Sequence, residues 1–99
     1  MPSNITSPMF FYTYVLRSLS DMNYYVGYTN NLRRRLEEHN TGKSFSTKGR
    51  APFKLVYFEA CLDIDDAKQR ETYLKNTIGR RYLGKRLHNY NRQLLKIFA

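Results

Sequence analysis

Apolar positions follow a two-residue period early in the chain and a three-to-four-residue period later. Residues 10–17 are dense in aromatic and β-branched side chains, which favours a strand. Side chains alternate across a strand, so Tyr12 and Tyr14 share one face and Thr13 and Val15 the other. Residues 18–23 are turn-like, and residues 24–28 predict a second strand, paired antiparallel through the short connection. Tyr25 and Gly27 share a face of that strand.

The period then lengthens. Leu32 and Leu36 are one helical turn apart, Asn30 or Asn31 can cap the helix start, and Gly42 lies beyond its expected end near Asn40. Residues 41–53 read as a basic loop and residues 54–60 as a third strand. Asp63 or Asp65 caps a second helix with Ala67, Leu74 and Ile78 on one stripe and Gly79 at its end. Residues 81–97 predict one or two last helices, with Leu83, Leu87, Tyr90 and Leu94 facing inward. The order β-β-α-β-α-α is an α+β fold: a small antiparallel sheet with helices packed on it. Residues 1–9 read as a disordered lead, residues 10–92 as the domain, and residues 93–99 as a tail or helix end.

Composition narrows the partner. The chain has 99 residues, one domain's worth, with a net charge of +9. Residues 43–54 carry four cations and no acid, and residues 72–99 carry seven cations and no acid. Such an excess attracts polyanions, and phosphate contacts would dominate affinity. Nine Tyr and six Phe stand among these charges. The lone Cys61 cannot close an internal disulfide and fits a reducing compartment. No targeting or membrane-spanning run is read at the start, so a cytoplasmic protein without membrane contact is expected.

Arg33, Arg34 and Arg35 fan out over roughly 200° and are not expected to act together. Arg35 lies at the edge of the buried stripe with His39 one turn on, where a guanidinium can grip a phosphate and an imidazole can relay a proton. The alternative is surface charge plus a histidine at a helix C-terminus. Glu71 falls on the core-facing stripe of the second helix. A carboxylate there needs either an arginine partner or a divalent cation, and its position leaves both open. Tyr12, Tyr14 and Tyr25 either cluster around chemistry or form an aromatic ladder. Nothing matches a two-metal carboxylate set, a phosphate-binding glycine loop, HExxH or G-x-S-x-G.

Tyr12-Thr13-Tyr14, Tyr25-Val26-Gly27-Tyr28-Thr29, the run from Leu32 to Asn40 with Arg35 and His39, Ser46-Thr47-Lys48, the run from Pro52 to Tyr57, and Arg70-Glu71 with Tyr73-Leu74-Lys75 together resemble a GIY-YIG nuclease domain. They are most similar to the small stand-alone GIY-YIG proteins related to the N-terminal nuclease domain of the excinuclease C subunit. The resemblance spans residues 10–90. Tyr12 and Thr13 stand where the first motif has its glycine and isoleucine, and the family's downstream asparagine has no clear match among Asn76, Asn89 and Asn91.

The resemblance implies a three-stranded antiparallel sheet flanked by helices and hydrolysis of DNA phosphodiesters in repair or processing. It implies one Mg2+ or Mn2+ ion on Glu71, Arg35 stabilising the phosphorane, Tyr14 or Tyr25 activating or positioning water, and His39 assisting proton transfer. Tyr12 and Gly27 would be structural members of the motif, Gly27 letting the backbone approach closely. Lys43, Thr47, Lys48, Arg50, Lys75, Arg80 and Arg81 are the expected nucleic-acid contacts. Structure-selective cleavage by a monomer is the expected activity, with the target chosen either by the basic loop and C-terminal segment or by a protein partner. The alternative is a nucleic-acid-binding module that keeps the scaffold without the chemistry.

Overall fold

The computed structural model describes residues 9–98; the lead expected at residues 1–9 lies outside them except for Met9. Strands β1 (Phe11–Ser18), β2 (Tyr24–Thr29) and β3 (Phe53–Cys61) form one antiparallel sheet in the order β2-β1-β3. Helices α1 (Leu32–Asn40), α2 (Ile64–Lys75), α3 (Thr77–Arg86) and α4 (His88–Phe98) complete the chain. The order is thus β-β-α-β-α-α-α, with one helix more than the sequence pattern separates. The domain end expected at residue 92 falls inside α4.

The central strand carries the core on both faces because its side chains alternate. Tyr14 and Leu16 pack with Phe53, Tyr25, Leu32 and Leu36 beneath α1. Val15 packs with Val26, Leu74, Leu83 and Leu87 beneath α2 and α3. On that second face the Thr13 hydroxyl donates to the Ala67 carbonyl at 3.0 Å, pinning α2 to β1.

Caps set the helix limits. Asn31, in extended backbone, accepts from the Arg34 amide at 3.1 Å and starts α1. The Asn40 amide then pairs with both backbone groups of Phe53, accepting at 2.6 Å and donating at 3.1 Å, which ties the end of α1 to β3. Asp63 caps α2.

The expectation for Ile78 and Gly79 is corrected. Asn76 ends α2 and caps α3, accepting from the Gly79 amide at 2.8 Å, so the chain turns before Ile78 reaches the core stripe and leaves that side chain 63% exposed. Gly79 is not a stop. It is buried in α3, where a Cβ would strike the Tyr73 carbonyl and the Leu74 backbone. Its missing side chain lets the two helices meet.

Candidate active site

At the free edge of β2 an open cleft of about 400 Å3 is lined by Tyr14, Tyr25, Gly27, Tyr28, Thr29, Arg34, Arg35, Glu38 and Glu71. Four elements meet there. Tyr14 sits directly opposite Gly27 in the β1–β2 register. A Cβ on Gly27 would lie 2.5 Å from the Tyr14 hydroxyl, so only glycine lets this phenol lie across β2.

The Tyr14 hydroxyl is the hub. It accepts from Arg35 Nε at 3.3 Å and meets His39 Nε2 at 2.8 Å. His39 Nδ1 meets the Thr47 hydroxyl at 2.7 Å, and Thr47 donates to the Ser44 carbonyl at 3.5 Å. With a neutral imidazole one arrangement gives every group a partner: Tyr14 donates to Nε2, Nδ1–H donates to Thr47, and Thr47 donates onward. Neutrality follows from burial. His39 is 0% exposed, boxed by the rings of Tyr14, Tyr25 and Phe53, and burial together with the Arg35 charge pulls its pKa down to about 4. Burial pushes the Tyr14 phenol up to about 12, against the pull of Arg35.

Arg35 spreads its donors. Besides Tyr14 it reaches Glu38 at 3.0 Å and the Ser44 hydroxyl at 3.2 Å. Burial works against its charge, but the bonds to Glu38 and Tyr14 more than offset that, so its pKa lies above the ordinary value. The cation is fixed and permanently charged. Tyr25, in the same wall, shares a 3.2 Å hydrogen bond with the Ser46 hydroxyl.

Glu71 reaches the cleft from α2. It is 19% exposed and has Lys75 at 3.3 Å on its own helix. Both readings the sequence left open thus bear on it: it has a cation partner, a lysine rather than an arginine, and it also faces open volume. A single carboxylate suits Mg2+, which dehydrates reluctantly and is commonly held by one or two carboxylates plus substrate phosphate and water.

Tyr14, Tyr25, Arg35 and Glu71 therefore converge, with Gly27 beneath them. His39 stands behind Tyr14 rather than in the cleft wall. Tyr12 packs edge-on against Phe58 at 5.8 Å, outside the cleft lining.

The expectation that the three arginines cannot cooperate is corrected for one pair. Arg34 and Arg35, about 100° apart on α1, both line the cleft because it is wide enough to receive both. Thr47 is also corrected. It is fully buried against His39 and cannot touch a nucleic acid. Arg50 is bound to Asp21 at 2.6 Å and braces the β1–β2 turn. Lys43, Lys48, Arg80 and Arg81 are exposed; Lys75 is exposed but paired with Glu71.

Ser44 was not singled out from sequence, and Glu38 and Ser46 stood only inside motif segments with no role assigned. Glu38 stands three residues after Arg35, a spacing that brings helix side chains together and was available as a signal. The serines lie in a loop whose return to the cleft has no local signature.

Residues 10–91 match the family model for the GIY-YIG catalytic domain. The chain belongs to the GIY-YIG family. Within it, this GIY-YIG chain is similar to a UPF0213 protein of Clostridium perfringens, 45% identical over 65 residues that make up 65% of this chain and 69% of that protein. A UPF0213 protein of Oceanobacillus iheyensis is 43% identical over 65 residues, 65% of this chain and 74% of its own length. The solution NMR structure of a UPF0213 protein from Bacillus halodurans is 32% identical, covering 78% of this chain and 84% of that one, with a TM-score of 0.48. No helix among the described residues is long and apolar enough to cross a membrane.

Proposed function

We propose that this protein is a metal-dependent endonuclease that hydrolyses DNA phosphodiester bonds, selecting its target by strand structure rather than sequence. The observation that carries the reading is the meeting of Glu71, Arg35 and Tyr14 around one open cleft. The net charge of +9 supports a polyanionic substrate.

Each residue has a chemical role. Glu71 would hold one Mg2+ or Mn2+ ion, which supplies Lewis-acid activation of the phosphate and charge neutralisation when bound. Arg35, locked by Tyr14, Glu38 and Ser44, presents a fixed cation to the charge that develops on the phosphoryl oxygens. Tyr14 rests as a neutral phenol and orients the attacking water. His39 Nε2, 2.8 Å away, accepts the Tyr14 hydrogen bond and fixes the phenol's orientation, and with a pKa of about 4 it is a poor resting place for a proton. His39 thus acts through Tyr14, and Thr47 fixes its ring from the other side. Tyr25 forms the second phenolic wall. Of the asparagines downstream, Asn76 is spent as a helix cap and Asn91 accepts from Arg17 and Tyr24.

The second reading, a binding module that keeps the scaffold, is favoured by the Lys75–Glu71 pair, since a lysine on the carboxylate competes with a cation. One panel separates the two. Labelled branched, single-stranded and duplex DNA are incubated with Mg2+, Mn2+ or EDTA. Metal-dependent product, strongest on branched or single-stranded DNA, is expected. Binding that weakens with salt but never yields product in either metal overturns the nuclease reading.

A further inference from the structure

In the run 44–47, Ser44 and Ser46 are tied to the cleft wall and Thr47 to the histidine behind it. Ser44 accepts from Arg35 at 3.2 Å, Ser46 meets Tyr25 at 3.2 Å, and Thr47 meets His39 at 2.7 Å. Backbone bonds from Thr47 to Ser44 and from Arg50 to Thr47 close the turn. The one member of this run turned away is Phe45, which is 92% exposed. A large aromatic ring on a mobile tip would need no explanation. This ring stands on a turn whose neighbours on both sides are held by residues of the cleft wall, each about 3.8 Å from it along the chain. Lys43 and Lys48 flank it, both exposed.

We propose that Phe45 is a base-stacking residue. It receives an unpaired nucleobase next to the phosphate held in the cleft, while Lys43 and Lys48 hold the backbone on either side. The inference rests on the nucleic-acid half of the function proposed above and supplies its substrate class: strands with a splayed or unpaired base, as at branches, flaps and single-stranded stretches. An aromatic face accepts any base, so it reads strand structure without reading sequence. In an intact duplex the bases are stacked on one another and withheld from the ring. The flanking lysines argue for a polyanion over an apolar protein surface as the occupant.

The test uses the full chain in EDTA, so that binding is read without cleavage. Anisotropy titrations compare a fluorescent single strand, a branched DNA and a blunt duplex. Phe45→Ala is expected to weaken binding of the first two on the order of tenfold, with duplex binding changed less than about twofold and Phe45→Trp restoring the parent affinity. A 2-aminopurine in the single strand is quenched by the parent and not by Phe45→Ala. Lys48→Ala is expected to lower the salt slope by about one, which Phe45→Ala leaves unchanged. Circular dichroism checks that the variants are folded, as a ring this exposed implies. Equal binding of all three DNAs by parent and Phe45→Ala, or no DNA binding by the parent, overturns the proposal. A parent that stacks bases but never cleaves keeps this inference and sinks the nuclease; one that cleaves with Phe45 indifferent does the reverse.

Discussion

Two groups in this small molecule are built from the same ingredients, an arginine, a glutamate and tyrosines, and they are wired in opposite ways. On the β3 side Arg70 closes a fork on Glu59, with Nε at 2.9 Å from one oxygen and Nη2 at 3.0 Å from the other. The rings of Tyr73 and Tyr82 lie 4.8 and 4.9 Å from its guanidinium, and Tyr57 bonds both Glu59 and Tyr82 at 3.0 Å. Both of its charges are spent on each other. In the cleft, Arg35 gives its donors to three separate partners, and the glutamate that also lines the opening, Glu71, is paired among the described residues with a lysine on its own helix. A closed fork is a brace. A cation shared among a phenol, a serine and the Glu38 carboxylate, lining one open cleft with a second carboxylate, is where the proposed function puts its ligand.

Substitutions can break that contrast. The largest effect is expected at the glutamates: Glu71→Gln should lower Mg2+-dependent cleavage at least about a thousandfold, while Glu59→Gln stays within about threefold of the parent. Single-turnover cleavage of a branched DNA reads both. Next come the arginines. Arg35→Ala is expected to lose about a hundred- to a thousandfold in rate. Arg70→Ala is expected to keep its rate and lose about 1–2 kcal/mol of stability, roughly 5–10 °C in melting temperature. The tyrosines follow, with Tyr14→Phe expected to cost about a hundredfold and Tyr57→Phe nothing measurable in the same assay.

A last effect, on stability rather than on cleavage rate, sharpens the role of His39. Its pKa is held below the unfolded value, at about 4, because burial disfavours the charged ring. Its contribution is therefore complete above about pH 6.5 and is lost as the pH falls toward 4, by up to about 3 kcal/mol. Denaturant unfolding between pH 7 and 4.5 should show this slope in the parent and a flatter one in His39→Gln. An equal slope in both contradicts a buried neutral imidazole behind Tyr14.

Much of this could be read along the chain. Alternation placed Tyr14 and Val15 on opposite faces of the central strand, and the helix period put Arg35 at a buried edge and Glu71 on an inward stripe. These are local regularities, so sequence carries them. The break between α2 and α3 was hidden because Asn76 looks like any polar helix residue until its side chain turns back on the Gly79 amide. Thr47 was misplaced because a threonine among lysines reads as surface, and only the fold brings it to His39. The Arg70–Glu59 brace went unseen for the same reason, since its partners meet across a strand and a helix.

The central claim is that Glu71 and Arg35 act on a single phosphodiester, and a double-substitution cycle tests it most directly. Single-turnover rates are measured for the parent, Glu71→Gln, Arg35→Ala and the chain carrying both. Groups that serve one transition state are strongly non-additive, so the double variant should be about as slow as the worse single one. Rate losses that multiply would mean the two side chains work independently and would contradict the shared site.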